Sequence, residues 1–352
     1  MASTTAATTP QEAYRARKIK MAASGMRIAL LMPITAIIQN IFNSSVTESV
    51  TAQLSDKIII SIIISITLLG MCDVCAGVFT FFYNLSKGKG IREYRRTTHL
   101  KISWMMLLSA AFGGPIATGC WMAATPFCGL TTVAIITSLG PILTAIFSRF
   151  FLHEKLNRRI YIGIVIVIVG VIIAGFAGFS SAGSNFWLGV ILAFMAPLGF
   201  AAEGQFSTFA GDIIDPNVGC GFYRCFGSGI LGLAFMAILA TATGNIASYG
   251  KIFNIVFAHP MLLFFVIMMG LLGAINYNAA YLAFNRTGPS RTLAIDSSRP
   301  VWSIILGYLF AAIGVQAYSA TVLAVVGALI VVGGLFMVIG NPKDLVNLRN
   351  VD

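Results

Sequence analysis

Ten apolar stretches dominate this chain, and each is long enough to cross a lipid bilayer as a helix. They run over 22–43, 58–84, 102–124, 127–151, 160–179, 186–209, 218–243, 259–284, 289–311 and 317–339. A helix of about 20 apolar residues spans the roughly 30 Å of hydrocarbon in a bilayer. Only 10% of the residues are charged, whereas soluble domains carry about 25%. The sequence therefore predicts an all-α polytopic membrane protein with ten transmembrane helices.

The basic residues are unevenly distributed among the connections between these stretches. Eighteen Lys and Arg residues lie in the two tails and in the loops after the second, fourth and eighth stretches, whereas the alternate loops contain only Lys57 and Lys251. Because Lys and Arg accumulate on the cytoplasmic side, we expect a multi-pass protein of the cytoplasmic membrane with both termini in the cytoplasm. The same topology accounts for the net charge of +11, so we expect the lipid bilayer and no nucleic acid as a partner.

A shift of 159 residues relates the two halves of the chain. The aligned pairs include Gly114 and Gly273, Gly129 and Gly288, Ser138 and Ser297, Pro141 and Pro300, and Gly175 and Gly334. Recurring Gly and Pro carry most weight because they mark special backbone geometry. Each copy would hold five helices, and since five is odd, the second copy would be inverted in the membrane. The predicted divisions are a tail (1–21), a first repeat (22–179), a second repeat (180–340) and a tail (341–352).

One segment resembles a known family. Residues 150–175, FFLHEKLNRRIYIGIVIVIVGVIIAG, are similar to the connection between helices 4 and 5 in the EamA-type drug/metabolite transporter superfamily. In that family a Glu precedes a polar linker and a Gly-spaced apolar helix, and here Glu154, Gly163 and Gly170 hold those places. The resemblance extends over residues 22–340. It implies two inverted five-helix repeats, a substrate site between them and transport by alternating access.

Two opposite charges interrupt the ninth stretch, in the sequence AIDSSRPVW. An ionisable group at the bilayer centre costs roughly 2.5 to 3.5 kcal/mol on insertion scales, so its presence indicates a use. Arg299 lies about 12 Å along the helix from Arg291, and it shares a face with Asp296. The planar guanidinium suits a substrate carboxylate or phosphate, and Asp296 would orient it or bind an ammonium group. The alternative is an internal ion pair that only stabilises the helix.

Three hydrogen-bonding residues extend this predicted substrate site. Thr137 is the repeat mate of Asp296, so the two copies would present the same place to the central axis. Asn278 and Tyr281 lie three residues apart in the eighth stretch and would share one face of that helix. We expect these three side chains to contact the substrate.

The tryptophans differ in predicted depth. Trp302 lies too deep for the membrane interface, and it is expected either to line the substrate cavity or to pack in the core. Trp121 and Trp187 lie near the outer ends of their stretches, which predicts that both belong to the interfacial aromatic belt.

Three more ionisable residues lie within apolar stretches. Asp73 is separated from the nearest basic residues by roughly 20 Å of helix on either side. Because burial disfavours the charged carboxylate, Asp73 is a candidate proton carrier, with a buried, hydrogen-bonded Asp as the alternative. Glu203 and Arg224 lie at equal depth on the two sides of a helical hairpin. They are predicted to form an ion pair or, if they face the cavity, to take part in proton coupling.

These features favour a secondary transporter of small organic solutes such as amino acids or related metabolites. We expect it to be an exporter, proton-coupled, and either a monomer or a homodimer. The alternatives are an integral-membrane enzyme acting on lipid or isoprenoid substrates and a scaffold or channel subunit. No phosphate-binding G-x-x-x-x-G-K-[ST] motif or H-E-x-x-H zinc motif occurs, and we expect neither a cofactor nor a metal ion.

Reporter fusions test the predicted topology. Alkaline phosphatase, which is active only after export, should be active when inserted beside Lys57 or Lys251 and inactive after Asp352, because basic loops remain in the cytoplasm. Green fluorescent protein at the same positions is the control and should give the opposite pattern. Phosphatase activity after both Lys251 and Asp352 would show that the termini are not cytoplasmic.

Overall fold

In this computed structural model, the structure describes residues 10–54, 58–151, 158–176, 185–315 and 318–339, and its regular elements there are all helical. The helices are α1 (Pro10–Ala29), α2 (Leu31–Leu54), α3 (Ile58–Ser86), α4 (Ile91–Thr98), α5 (Ser103–Ala111), α6 (Gly119–Cys128), α7 (Leu130–Thr137), α8 (Gly140–Phe151), α9 (Arg158–Phe176), α10 (Phe186–Gly211), α11 (Pro216–Gly219), α12 (Ser228–Ala242), α13 (Ile246–Ala258), α14 (Pro260–Thr287), α15 (Pro289–Asp296), α16 (Arg299–Ala312) and α17 (Val322–Ile339). Two π-helical segments, Phe112–Thr118 and Cys220–Gly227, join α5 to α6 and α11 to α12.

Seven helical stretches among the described residues are long and apolar enough to cross a membrane. They are Pro10–Leu54, Ile58–Ser86, Ser103–Cys128, Thr132–Phe151, Phe186–Gly211, Pro216–Ala242 and Pro260–Thr287. Tyr161–Gly170, Ile246–Ala258 and Val322–Met337 are shorter apolar helices. The chain is therefore an all-helical, multi-pass membrane protein.

The predicted fourth and ninth spans are each interrupted near the middle. The fourth consists of α7 and α8, and the ninth consists of α15 and α16, with two residues between the helices in both cases. Pro141 and Pro300 are the second residues of α8 and α16. Proline has no N–H to donate and is well accommodated in a first helical turn. The ninth span is thus broken just before Pro300, and the break places Asp296 and Arg299 at two facing helix ends.

The two interruptions touch each other. Ser138 Oγ lies 3.1 Å from the Ser297 carbonyl oxygen, and Ser297 Oγ lies 3.3 Å from the Ser138 carbonyl oxygen. Each hydroxyl also shares its proton with the carbonyl oxygen four residues earlier in its own helix. Upstream of each break, Gly129 and Gly288 adopt nearly identical left-handed conformations, with φ of 81° and 85°. Only glycine adopts such a backbone without strain. The members of both pairs are 159 residues apart.

Small residues let α9 and α17 pack with their backbones in contact. A methyl group on Gly170 would lie 2.8 Å from the Gly327 carbonyl oxygen, and one on Gly334 would lie 2.8 Å from the Gly163 carbonyl oxygen. In lipid, helix association depends on this kind of close packing. The glycine spacing of the fifth predicted span is therefore used for helix contact.

Some sequence features lie outside the described residues. Glu154, which carries part of the family resemblance, is one of them, as are Lys57 and most of the C-terminal tail beyond residue 339.

Candidate functional site

A small cavity lies where the α15–α16 break meets α2, α6, α10 and α14. Its charged lining residues are Glu203, Arg224, Asp296 and Arg299. Its aromatic lining residues are Trp121, Phe200, Tyr277 and Phe284. Gln39, Thr118 and Asn276 add amide and hydroxyl groups. Apolar walls with a few convergent polar groups are typical of small-molecule sites.

The Arg299 side chain is held from three sides. Its Nε donates to Asp296 Oδ1 at 2.9 Å, and its Nη2 lies 2.5 Å from Asp296 Oδ2. The guanidinium carbon lies 4.8 Å from the centroid of the Trp121 ring and 4.9 Å from that of Phe200. This combines a bidentate carboxylate pair with two cation–π contacts, so the guanidinium is fixed before any solute arrives.

Two hydrogen-bond donors beside the cavity remain free. Neither Arg299 Nη1 nor Trp121 Nε1 has a hydrogen-bond partner within the part of the chain that the structure describes, and both atoms are shielded from solvent. Leaving a buried donor unpaired costs about 1–3 kcal/mol, more for a charged one. Both groups donate only, so the site is suited to an anionic or carbonyl oxygen of a ligand.

Arg224 forms the second charged cluster, and all five of its N–H groups find acceptors. Nε donates to Glu203 Oε1 at 2.8 Å, and Nη1 donates to Asp73 Oδ2 at 3.0 Å. The other acceptors are Ser228 Oγ at 3.2 Å, the Gly113 carbonyl oxygen at 3.1 Å and Thr118 Oγ1 at 3.1 Å. Its guanidinium carbon also lies 3.7 Å from the centroid of the Tyr277 ring. Arg224 therefore has no donor left for a solute and acts as a cross-link between helices.

This second cluster contains one acid more than it contains bases. Asp73 and Glu203 share the single guanidinium of Arg224, and all three are at most 5% exposed. Ser228 Oγ also donates to Asp73 Oδ2, at 2.5 Å, while Asp73 Oδ1 has no partner among the described residues. An uncompensated charge in such a place is costly. One of the two carboxyl groups must therefore carry a proton or meet a cation.

The structure brings some of the predicted site residues together and not others. One cavity is lined by Asp296, Arg299, Glu203 and Arg224. Asp73 does not line this cavity, but it forms an ion pair with Arg224. Thr137, Asn278, Tyr281 and Trp302 are not among the lining residues. Within the protein, Thr137 Oγ1 donates to the Val133 carbonyl oxygen at 2.5 Å, Asn278 Nδ2 donates to Thr80 Oγ1 at 2.9 Å, and the Tyr281 hydroxyl lies 3.0 Å from Ser109 Oγ.

The prediction that Trp121 belongs to the aromatic belt is wrong. Its side chain is 1% exposed and packs on Arg299. The helix continues to Cys128, about 10 Å beyond Trp121, so this ring lies deeper than the predicted end at residue 124 suggested. Trp187 is 62% exposed, as a belt residue would be. Phe200 was also missed, because nothing in an apolar stretch distinguishes one Phe that faces a cavity from another that faces lipid.

The chain is similar to known proteins in sequence and in fold. Residues 65–176 match the model of the EamA-like transporter family. The chain is 25% identical to Protein LicB of Haemophilus influenzae (strain ATCC 51907 / DSM 11121 / KW20 / Rd) over 210 residues, which are 59% of this chain and 67% of LicB. A solved structure described as "Crystal structure of protein" is similar with a TM-score of 0.59 at 16% identity, over 88% of this chain and 96% of that chain. The last likeness shows the fold alone.

Arg224→Gln should strongly destabilise the protein, because it leaves Asp73 and Glu203 buried without their shared counterion. Breaking a buried ion pair in this way costs about 3–5 kcal/mol. Arg224→Lys, which keeps the charge but provides fewer donors, should fall in between. The measurement is Tm in detergent, with Lys251→Gln as an exposed matched control. An Arg224→Gln protein with the same Tm as this control would refute the structural role.

Proposed function

Because the chain belongs to the EamA-like transporter family, we propose that it is a secondary active transporter of a small organic solute, working by alternating access. The family is one of transporters and not of enzymes, which sets aside a membrane enzyme acting on lipids. The free donors of Arg299 and Trp121 in the central cavity are the observation that carries the proposal.

The proposed architecture is two inverted five-helix repeats, 22–179 and 180–340, giving ten spans. If a two-fold axis relates the two repeats, a residue close to the axis contacts the equivalent residue of the other repeat. The contacts between the two residues are then reciprocal. The paired hydrogen bonds between Ser138 and Ser297 have this form. The matching conformations of Gly129 and Gly288 support the same relation. Both termini would lie in the cytoplasm, and the two repeats would rock about the cavity.

The proposed substrates are zwitterions such as amino acids or related metabolites. A carboxylate would accept from Arg299 Nη1 and Trp121 Nε1, two donors of lining residues that have no hydrogen-bond partner among the described residues. The ammonium group would bind an acid of the lining, with Glu203 favoured because Asp296 is already bidentate to Arg299. The other predicted site residues would contact the solute only in a second conformation, in which a different set of residues lines the cavity. They are Thr137, Asn278, Tyr281 and Trp302.

Proton coupling would follow from the acid excess at Arg224. Asp73 and Glu203 together hold one negative charge that Arg224 does not balance. A proton and the ammonium group of a solute would compete for this charge, so binding of one would release the other. In the membrane this gives exchange, with protons entering as the solute leaves the cell. Export is the direction in which an inward proton gradient drives such an exchange.

Glu203→Gln tests the coupling. The substitution removes the excess acid but leaves Arg224 balanced by Asp73, so we expect a folded protein with an unchanged Tm. In proteoliposomes loaded with an amino-acid mixture, an imposed pH gradient should drive efflux by the wild-type protein. The variant should lose the pH dependence, and it should exchange solute more weakly at equal pH because Glu203 is also the favoured partner of the ammonium group.

Glu93→Gln, on an exposed loop helix, is the matched control for the loss of one acid. It should behave like the wild type. A wild-type protein whose flux ignores the pH gradient, or a Glu203→Gln variant that keeps the full pH response, would rule out this coupling.

Arg299→Gln tests the substrate anchor. Purified protein is screened by thermal shift against amino acids, nucleosides, organic acids and cationic drugs. We expect stabilisation by a carboxylate-bearing compound and loss of that stabilisation in the variant, because Nη1 is gone. Arg286→Gln, whose side chain binds Ser24 outside the cavity, should retain it. A ligand that stabilises Arg299→Gln as well as the wild type would contradict the assignment.

A further inference from the structure

A stripe of polar residues runs along α2 from the cavity to the end of the helix. Gln39, Asn43, Thr47 and Thr51 are spaced by four residues, which places them on one helical face. Gln39 lines the cavity, and Thr51 lies about 18 Å further along the helix. The helix ends at Leu54, on the side that the distribution of basic residues assigns to the outside.

Most polar atoms of this stripe have no partner in the described structure. Asn43 is fully buried, yet neither its amide nitrogen nor its amide oxygen is hydrogen-bonded within the described ranges, and the same holds for Thr47 Oγ1 and Thr51 Oγ1. Native proteins rarely leave buried polar groups unpaired, since each one loses its hydrogen bonds to water. Three consecutive members on one face therefore require an explanation.

Polar residues elsewhere in these helices show what a purely structural role looks like. Asn276 donates to the Met32 carbonyl oxygen at 2.7 Å and to Thr35 Oγ1 at 3.0 Å. Gln39 Nε2 donates to the Met269 carbonyl oxygen at 3.3 Å. These amides join α2 to α14, whereas that of Asn43 joins nothing. Helix association thus does not account for Asn43.

One hydrogen bond closes the space beside the stripe. Asn40 Nδ2 donates to Thr125 Oγ1 at 3.0 Å and connects α2 to the outer part of α6. Asn40 is fully buried and Thr125 is 6% exposed. Along α2, Asn40 lies between Gln39, which lines the cavity, and Asn43. This contact would have to open for α2 to move away from α6.

We propose that the α2 face of Asn43, Thr47 and Thr51 lines the route of a polar, zwitterionic solute between the cavity and the outer side. This inference rests on the proposed transport function and extends it to the outer half of the protein. In the closed state described here the route is collapsed. In the outward-open state the amide and the two hydroxyls gain hydrogen bonds to the solute and its water, which offsets their cost in the closed state.

Cysteine accessibility tests the route. In a background lacking the six native cysteines, Asn43→Cys, Thr47→Cys and Thr51→Cys are exposed to a membrane-impermeant sulfonated maleimide from outside intact cells. We expect labelling several-fold faster than for Ile41→Cys. Ile41 is as buried as Asn43, and it lies two residues from Asn43 on the opposite face of α2. Only variants that keep the Tm of the background are compared.

A second substitution, which leaves the labelled position unchanged, tests the same route by weakening the contact between α2 and α6. Thr125→Val removes the acceptor of the Asn40 amide, so it should favour the open state and raise labelling at Thr47→Cys by about twofold to tenfold, the effect of losing one hydrogen bond. Labelling at Ile41→Cys should not change.

Two results separate this inference from the proposed function. The route would be overturned if all three stripe cysteines were labelled as slowly as Ile41→Cys, both with and without Thr125→Val. If flux in proteoliposomes were normal in the same variants, the proposed transport function would still hold. Labelling does not depend on flux, so absence of flux alone counts against the proposed function and not against an outward-opening face.

Discussion

The ion cluster around Arg224 is the interaction on which the rest of the structure depends. A single guanidinium joins Asp73 on α3, Glu203 on α10 and the π-helical segment Phe112–Thr118 between α5 and α6. Each of its five N–H groups is used, so the desolvation cost of the charge is offset by complete hydrogen bonding. This cross-link joins α3 to α10, whose Glu203 lines the cavity, and it leaves one acid in excess at the position where a proton or a cationic group can bind.

Arg224 and Arg299, both buried, show how environment separates structure from function. Arg224 has no free donor, whereas Arg299 is fixed by one acid and two aromatic rings and still has Nη1 free. A side chain that is rigid but incompletely bonded is ready to bind a ligand, because little conformational entropy remains to be lost. The same reasoning applies to Asn43, whose amide has no partner among the described residues and lies on the proposed route and not in the cavity.

The interrupted helices provide both the site and the means to move around it. The break between α15 and α16 brings Asp296 and Arg299 to facing helix ends, and the break between α7 and α8 contacts it through Ser138 and Ser297. Irregular backbone in a membrane protein is tolerated where it lines protein or a cavity. Two such breaks in mutual contact give a narrow connection about which two rigid halves could rotate.

The sequence by itself determined that the chain is a helical, multi-pass membrane protein, because apolar length and the loop distribution of Lys and Arg are local properties. The resemblance of residues 150–175 to a transporter family indicated the class. It also marked the ionisable residues of the site, since a charge in an apolar stretch is conspicuous wherever the helix packs. Only the tertiary structure decided which rings enclose Arg299, that Trp121 faces the cavity, that Arg224 is saturated and that Asn43 is unpaired. These features depend on how each helix is rotated about its axis and on contacts between residues far apart in the chain. In a helix that is apolar on nearly all sides, no hydrophobic periodicity in the sequence indicates which face is buried.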